Sequence, residues 1–287
     1  MIFNLHAWAQ SDVEPPQPSA IRPAAMEHNW SLLLPNSEKV SYKGIANFDD
    51  AGAGTMQMLY PAPDAAGLLA AVLTHGFLAE SAKNSQKDKL QQAADSVLTP
   101  YEAVLSGYTH KELMQRGLQM MASSGARKLV DPAERSSADW HIESTPVFSI
   151  TQDQSAFVLH NVISIYRPGA ASAAAYQYTV KVVSQPRDEA DLPAFWTANN
   201  GEKLKEESAR LFAESLDIAL GEAAGRQSTN GSYRTIRYME GGAERMERGL
   251  PISERCNRVL MKTLRDWLMS VPTRRGAAGA AAATCEK

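Results

Sequence analysis

The hydrophobic and polar positions of this chain change period several times. A 3.6-residue recurrence marks an amphipathic helix and strict alternation marks a strand. The run Leu90, Ala94, Val97, Leu98, Tyr101, Val104, Leu105 keeps one helical face, with Pro100 placed to kink or divide it. Thr109, three positions before Glu112, reads as a capping box opening the next helix. Leu204, Ala209, Leu211, Phe212, Leu216 and Leu220 predict a long helix over 202–223, with Asn200 before it and Gly225 ending it. The same spacing over Val259, Leu260, Thr263, Leu264 and Trp267 predicts a last helix from Ser253 to just before Pro272. A further helix, with Leu68, Leu69, Val72, Leu73 and Phe77, is expected from Asp64 to about Glu80.

Alternation takes over elsewhere. Strands are expected at 30–34, 39–48, 55–60 and 233–239, the last turning at Gly241-Gly242. The middle of the chain reads as a three-strand antiparallel meander over 140–150, 155–167 and 176–185. Placing Ile150 opposite Ser155 brings Phe148 to Phe157, Ile142 to Ile163 and Trp140 to Ile165, and sets Val180 against Ile163. A slip of one residue would scatter these apolar side chains over both faces. The opposite face then carries His141, Glu143, Thr145, His160, Ser164 and Lys181, giving one core face and one wet face. Helices and strands come in clusters, so the fold class is α+β: a largely antiparallel sheet, with the meander at about 140–185, packed on one face by helices.

Domain organisation follows composition. Residues 1–9 read as a signal-peptide remnant, because Ala7-Trp8-Ala9 has the small-x-small form cut by a signal peptidase. Residues 10–28 form a polar linker rich in proline (Pro15, Pro16, Pro18, Pro23), and 273–287 an Ala/Gly-rich tail expected to be disordered. The globular region is 29–272, as one large domain or as halves 29–125 and 138–272.

Of the 287 residues, 44% are hydrophobic and 21% charged, and the net charge is −3. No overall basic field recruits nucleic acid. No apolar run approaches the roughly 18 residues of a spanning helix. Cys256 and Cys285 are the only cysteines, which excludes zinc modules built on Cys pairs. Cys256 is expected inside the last helix and Cys285 in the tail.

Candidate chemistry is sparse. Val72-Leu73-Thr74-His75-Gly76-Phe77 has the His-Gly of an oxyanion turn, but the nucleophile elbow G-x-S-x-G is missing from the chain. Gly52-Ala53-Gly54 precedes a strand and reads as a turn. Seven arginines between Arg234 and Arg265 are interleaved with Glu240, Glu244, Glu247 and Glu254, the pattern of an ordinary charged surface. Tyr166, Tyr176 and Trp196 read as packing residues at element ends.

The best constellation is His141, Glu143, His160 and Lys181 on the wet sheet face. In the expected register Glu143 lies diagonal to His160, and two imidazoles with a carboxylate suit a metal or a proton relay. The reading is an exported, periplasmic protein of a bacterial envelope with a binding or assembly role and no cofactor. Its expected partner is a protein or envelope component, met by these four residues. The alternatives are a hydrolase or metal-assisted enzyme using His141, Glu143 and His160, and a cytoplasmic binding protein.

Overall fold

A computed structural model describes residues 29–46, 81–123, 126–136, 138–170, 173–225, 231–255 and 257–273. The ten strands are β1 (Asn29–Leu33), β2 (Ser41–Gly44), β3 (Ala126–Val130), β4 (Trp140–Ile150), β5 (Phe157–Tyr166), β6 (Tyr176–Val183), β7 (Arg234–Glu240), β8 (Ala243–Arg255), β9 (Arg258–Thr263) and β10 (Leu268–Pro272). The helices are α1 (Ser81–Asp95), α2 (Glu102–Gly107), α3 (His110–Met120) and α4 (Leu192–Ala223). All ten strands join one sheet in the order β3-β1-β4-β5-β6-β10-β9-β8-β7, with β2 also paired to β4. Most of the paired length is antiparallel, and helices pack on the sheet, so the α+β class holds.

The meander forms with its faces as expected and its register moved by two residues at each step. Ile150 pairs with Phe157, Phe148 with Leu159 and Ile142 with Ile165; Ile163 pairs with Tyr178. An even shift preserves which side chains share a face, because the pleat repeats every two residues. The cause is the β4–β5 turn, where Thr151 Oγ1 accepts from the Ala156 amide and donates to the Ala156 carbonyl, and Gln154 adopts φ 58°. That turn consumes more residues than a tight hairpin.

Trp30, Leu32, Trp140, Ile142, Phe148, Leu159, Ile163 and Val182 make up the sheet side of the main core. Against them lie Leu204, Leu211, Phe212, Leu216 and Leu220 of α4, with Leu113 and Met114 of α3. A polar line crosses this core: Ser144 donates to Asn161 Oδ1 (2.8 Å), and Asn161 Nδ2 donates to Ser215 (2.9 Å). It fixes the rotation of α4 over the sheet, since buried polar groups must find partners.

Pro146 sits in the middle of β4, a position that costs a ladder bond in a central strand. The edge it faces is open. β1 pairs only with 140–142 and β2 only with 147–150. The Ile45 amide donates to Ile150 O, so even-numbered residues of β4 point their backbone groups away from β5. The amide hydrogen that Pro146 lacks therefore falls in the gap between β1 and β2.

Three expectations on the helices are met at Pro100, Thr109 and Gly225. Residues 96–101 are a 3-10 helix containing Pro100, between α1 and α2. Thr109 Oγ1 accepts the Glu112 amide at 3.2 Å, while the Glu112 carboxylate turns to Arg116 and Lys205. α4 is broken at Ala198–Gly201, where Asn199, Asn200 and Gly201 all have positive φ, so its long second segment starts at 202. A Cβ on Gly201 would overlap Val104, which is why the chain turns on a glycine here.

Two expectations are corrected. The predicted last helix is instead the end of β8, then β9 and β10. Val259, Met261 and Thr263 alternate inward along β9, and Val259 and Thr263, four residues apart, fit a helical spacing as well. Tight turns with positive φ at Asn257 and Asp266 break any helix there. The second correction concerns the wet face. β8 bends at a bulge between Pro251 and Ser253, and β7 brings Ile236 and Tyr238 onto that face. They join Val158, Val183, Val259, Met261, Met269 and Val271 in a second core. At the ribbon tip the Gly242 amide donates to Asp153 of the β4–β5 turn.

β3 was not foreseen; Ala126-Arg127-Lys128-Leu129-Val130 has little local strand signal and is held by parallel pairing with β1. The expected strand at 55–60, the helix from Asp64, the segments 1–28 and 274–287, and both cysteines lie outside the described residues. Among the described residues no helix is long and apolar enough to cross a membrane.

Candidate functional site

The four residues expected to act together sit on one sheet face but in two groups. His141 is buried and its ring stacks on Tyr166, its cross-strand neighbour, at 5.0 Å and 6°. Tyr166 donates its hydroxyl hydrogen to Glu143 Oε2 at 2.9 Å, and the Arg135 guanidinium lies 5.6 Å from the Tyr166 ring centre. Burial, then the nearby Arg135 charge, holds His141 below its ordinary pKa. Burial and the Glu143 carboxylate push Tyr166 up to about 12. These groups brace the start of β4 against the end of β5.

The second group is Lys181 and His160, which are cross-strand partners. Lys181 Nζ meets Glu240 Oε2 at 2.7 Å and the Tyr238 hydroxyl at 3.5 Å. His160 lies edge-on to Trp267 at 6.1 Å, and burial followed by the Lys181 charge pushes its pKa down to about 3. The two-residue register shift places Glu143 opposite Ser164, four residues along β5 from His160. At about 3.4 Å per residue that is roughly 14 Å, so the expected Glu143–His160 diagonal is not formed. Among the described residues no group of three His, Cys, Asp or Glu is placed to hold a metal ion.

A cleft of about 660 Å³ lies elsewhere. β1 and β3 run parallel, and both end beside it. The chain then leaves the sheet: Leu34 donates its amide to Val130 O, the His110 amide donates to Glu38 O, and the Val40 amide to Tyr108 O before β2 resumes beside β4. This excursion wraps the N-terminus of α3. The cleft is lined by Leu34, Pro35, Asn36, Ser37 and Glu38, by Thr109, His110 and Lys111, and by Asp131, Pro132 and Ala133. A crevice beyond the carboxyl ends of parallel strands, flanked by a helix N-terminus, is where open sheets with crossover helices place their ligands.

His110 is 6% exposed, and its Nδ1 lies 2.7 Å from the Ser37 carbonyl oxygen. A carbonyl only accepts, so Nδ1 carries the hydrogen and Nε2 presents a lone pair. Burial, opposed by that bond, holds the ring below its ordinary pKa and therefore neutral near pH 7. The Asp131 carboxylate caps the short turn Pro132–Glu134, accepting from the Ala133 amide at 2.9 Å. Sequence reasoning located this helix end through Thr109 and Glu112, but nothing in the pattern marked His110, Glu38 or Asp131. Their neighbourhood depends on β3, which carries no local signal.

Comparison with protein-family models, with curated proteins and with solved structures finds no match for this chain.

Proposed function

We propose that the chain is a binding protein of the bacterial cell envelope, acting through the cleft at the ends of β1 and β3. The observation that carries this reading is the excursion at 34–40. It interrupts the line of strands beside β4 and builds an open, mixed apolar and polar cleft around the α3 N-terminus. The side chains first expected to meet a partner are instead engaged within the sheet: Glu143 with Tyr166, and Lys181 with Glu240. Export is supported by Ala7-Trp8-Ala9. A mature chain beginning near Gln10 is the expected result of mass measurement on protein from its native locus; an intact Met1 would favour a cytoplasmic binding protein.

The binding reading is tested with a photo-crosslinking residue placed in turn at Asn36, Thr145 and Leu264, all exposed. Asn36 probes the cleft, Thr145 the sheet face and Leu264 the distant β9–β10 turn. Adducts from Asn36 alone are expected. Adducts from Thr145 alone would return the binding role to the sheet face, and equal labelling at all three would refute a defined site.

A further inference from the structure

The cleft offers recognition chemistry of both signs. Of the amides in the first turn of α3, those of His110, Glu112 and Leu113 are taken by Glu38 O, Thr109 Oγ1 and Thr109 O. The Lys111 amide has no partner among the described residues, and it points outward from the positive end of an eleven-residue helix. Lys111 lines the same cleft, and its ammonium adds a positive charge at this end. An acceptor carrying negative charge fits this end.

His110 supplies a separate indication of a ligand. The side chain is more than nine-tenths buried, its tautomer is set by Ser37, and Nε2 has no partner among the described residues. His141 Nε2 is sealed in protein; His110 Nε2 is not among the sealed atoms, and His110 lines the cleft. A bare imidazole nitrogen held this way calls for a hydrogen-bond donor. Glu38 and Asp131 add two carboxylates to the lining. They disfavour a simple anion at the Lys111 end, while a simple cation would leave the Lys111 amide unanswered.

Resting on the binding role above, we propose that the cleft recognises an α-amino-carboxylate group. Its carboxylate would meet the Lys111 amide and ammonium, and its ammonium would meet His110 Nε2 and the carboxylates of Glu38 and Asp131. The group occurs in free amino acids and as the zwitterionic end of larger envelope components, and both present the same atoms.

The test uses the full chain and three probes of similar size: L-alanine, propionate and ethylammonium, followed through the amide shifts of 34–38 and 109–111. L-Alanine is expected to saturate with a Kd at least about tenfold below those of the two singly charged probes, since each charged hydrogen bond is worth about that factor. Glu38→Gln, at an exposed position, removes one ammonium partner and narrows the difference by about threefold to tenfold without touching the core. His110→Gln weakens L-alanine while leaving propionate unchanged; if that variant does not fold, Glu38→Gln alone decides. Equal affinity for the three probes, or no saturable shift with any of them, overturns the proposal. A tethered source is distinguished from a free one by the crosslink at Asn36: adducts to an envelope component together with L-alanine binding identify the tethered group. Adducts without L-alanine binding leave the binding role standing and remove the zwitterion.

Discussion

The Lys181–Glu240 pair ties the C-terminal ribbon to the central sheet, and breaking it tests whether the ribbon is seated as described. Their charged atoms lie 2.7 Å apart, with the side chains 15% and 10% exposed. At an effective dielectric of about 20 the attraction is about 6 kcal/mol, and desolvation of the two ions offsets most of it. The pair as a whole is therefore close to neutral, but either charge left alone is not. Burial acts to lower the Lys181 pKa, yet Glu240 and Tyr238 outweigh it and keep the amine charged. Glu240→Gln leaves that ammonium without its counter-charge, with only neutral partners, the amide oxygen at 240 and the Tyr238 hydroxyl at 3.5 Å. The expected loss is about 2–4 kcal/mol, somewhat below the value for a fully buried pair because a little water remains. The double variant Lys181→Met/Glu240→Leu should fall within about 1 kcal/mol of the parent, since apolar side chains suit the second core around them. Urea unfolding at pH 7 measures this through the midpoint at constant m-value. A loss below about 0.5 kcal/mol for Glu240→Gln is the behaviour of a solvent-exposed pair. That result would refute the docking of β7 over the second sheet face.

Gly201→Ala places a Cβ at φ 74° against Val104 and should cost about 2–4 kcal/mol, with Val104→Ala recovering part of it; full stability of the single variant by thermal melt would contradict the kinked start of α4. Asn161→Leu removes the group that links Ser144 to Ser215 and should cost about 2–3 kcal/mol in chemical unfolding, more than Asn161→Leu combined with Ser144→Ala and Ser215→Ala. For Asp153, burial acts to raise the pKa, but hydrogen bonds from Thr151, Gly242 and Ser155 outweigh it, so the folded value is depressed. Its stabilisation is present above the unfolded value of about 3.9 and is lost as pH falls through the lower folded value. Melting temperature should therefore fall more steeply on acidification in the parent than in Asp153→Asn, and parallel curves would rule out a charged clasp at the ribbon tip.

Much of the helical layer was legible because its signals are local. Thr109 with Glu112, Pro100, and the apolar stripe of 202–223 each act over one or two turns. The faces of the meander were legible for a related reason: side-chain direction in a strand depends only on parity, and a two-residue register error leaves parity intact. The same error erased the Glu143–His160 diagonal, because a diagonal depends on absolute register, which the β4–β5 turn sets. The last helix failed because Val259 and Thr263, four residues apart, fit both periods, and only pairing with β8 and β10 selects the strand that also turns Met261 inward.

By itself, then, the order of residues determined the α+β class, the Thr109 cap of α3, the shared face of His141, Glu143, His160 and Lys181, and the absence of a complete classical catalytic motif. The tertiary structure alone decided that β7 would roof the second face. It also decided that β3 would pair with β1, and that Glu38, His110, Lys111 and Asp131 would line one cleft. Positions 38, 110 and 131 are far apart along the chain, and no local periodicity records a neighbour that distant. Their meeting is a consequence of parallel pairing and of one helix end, and those contacts exist only once the sheet has closed.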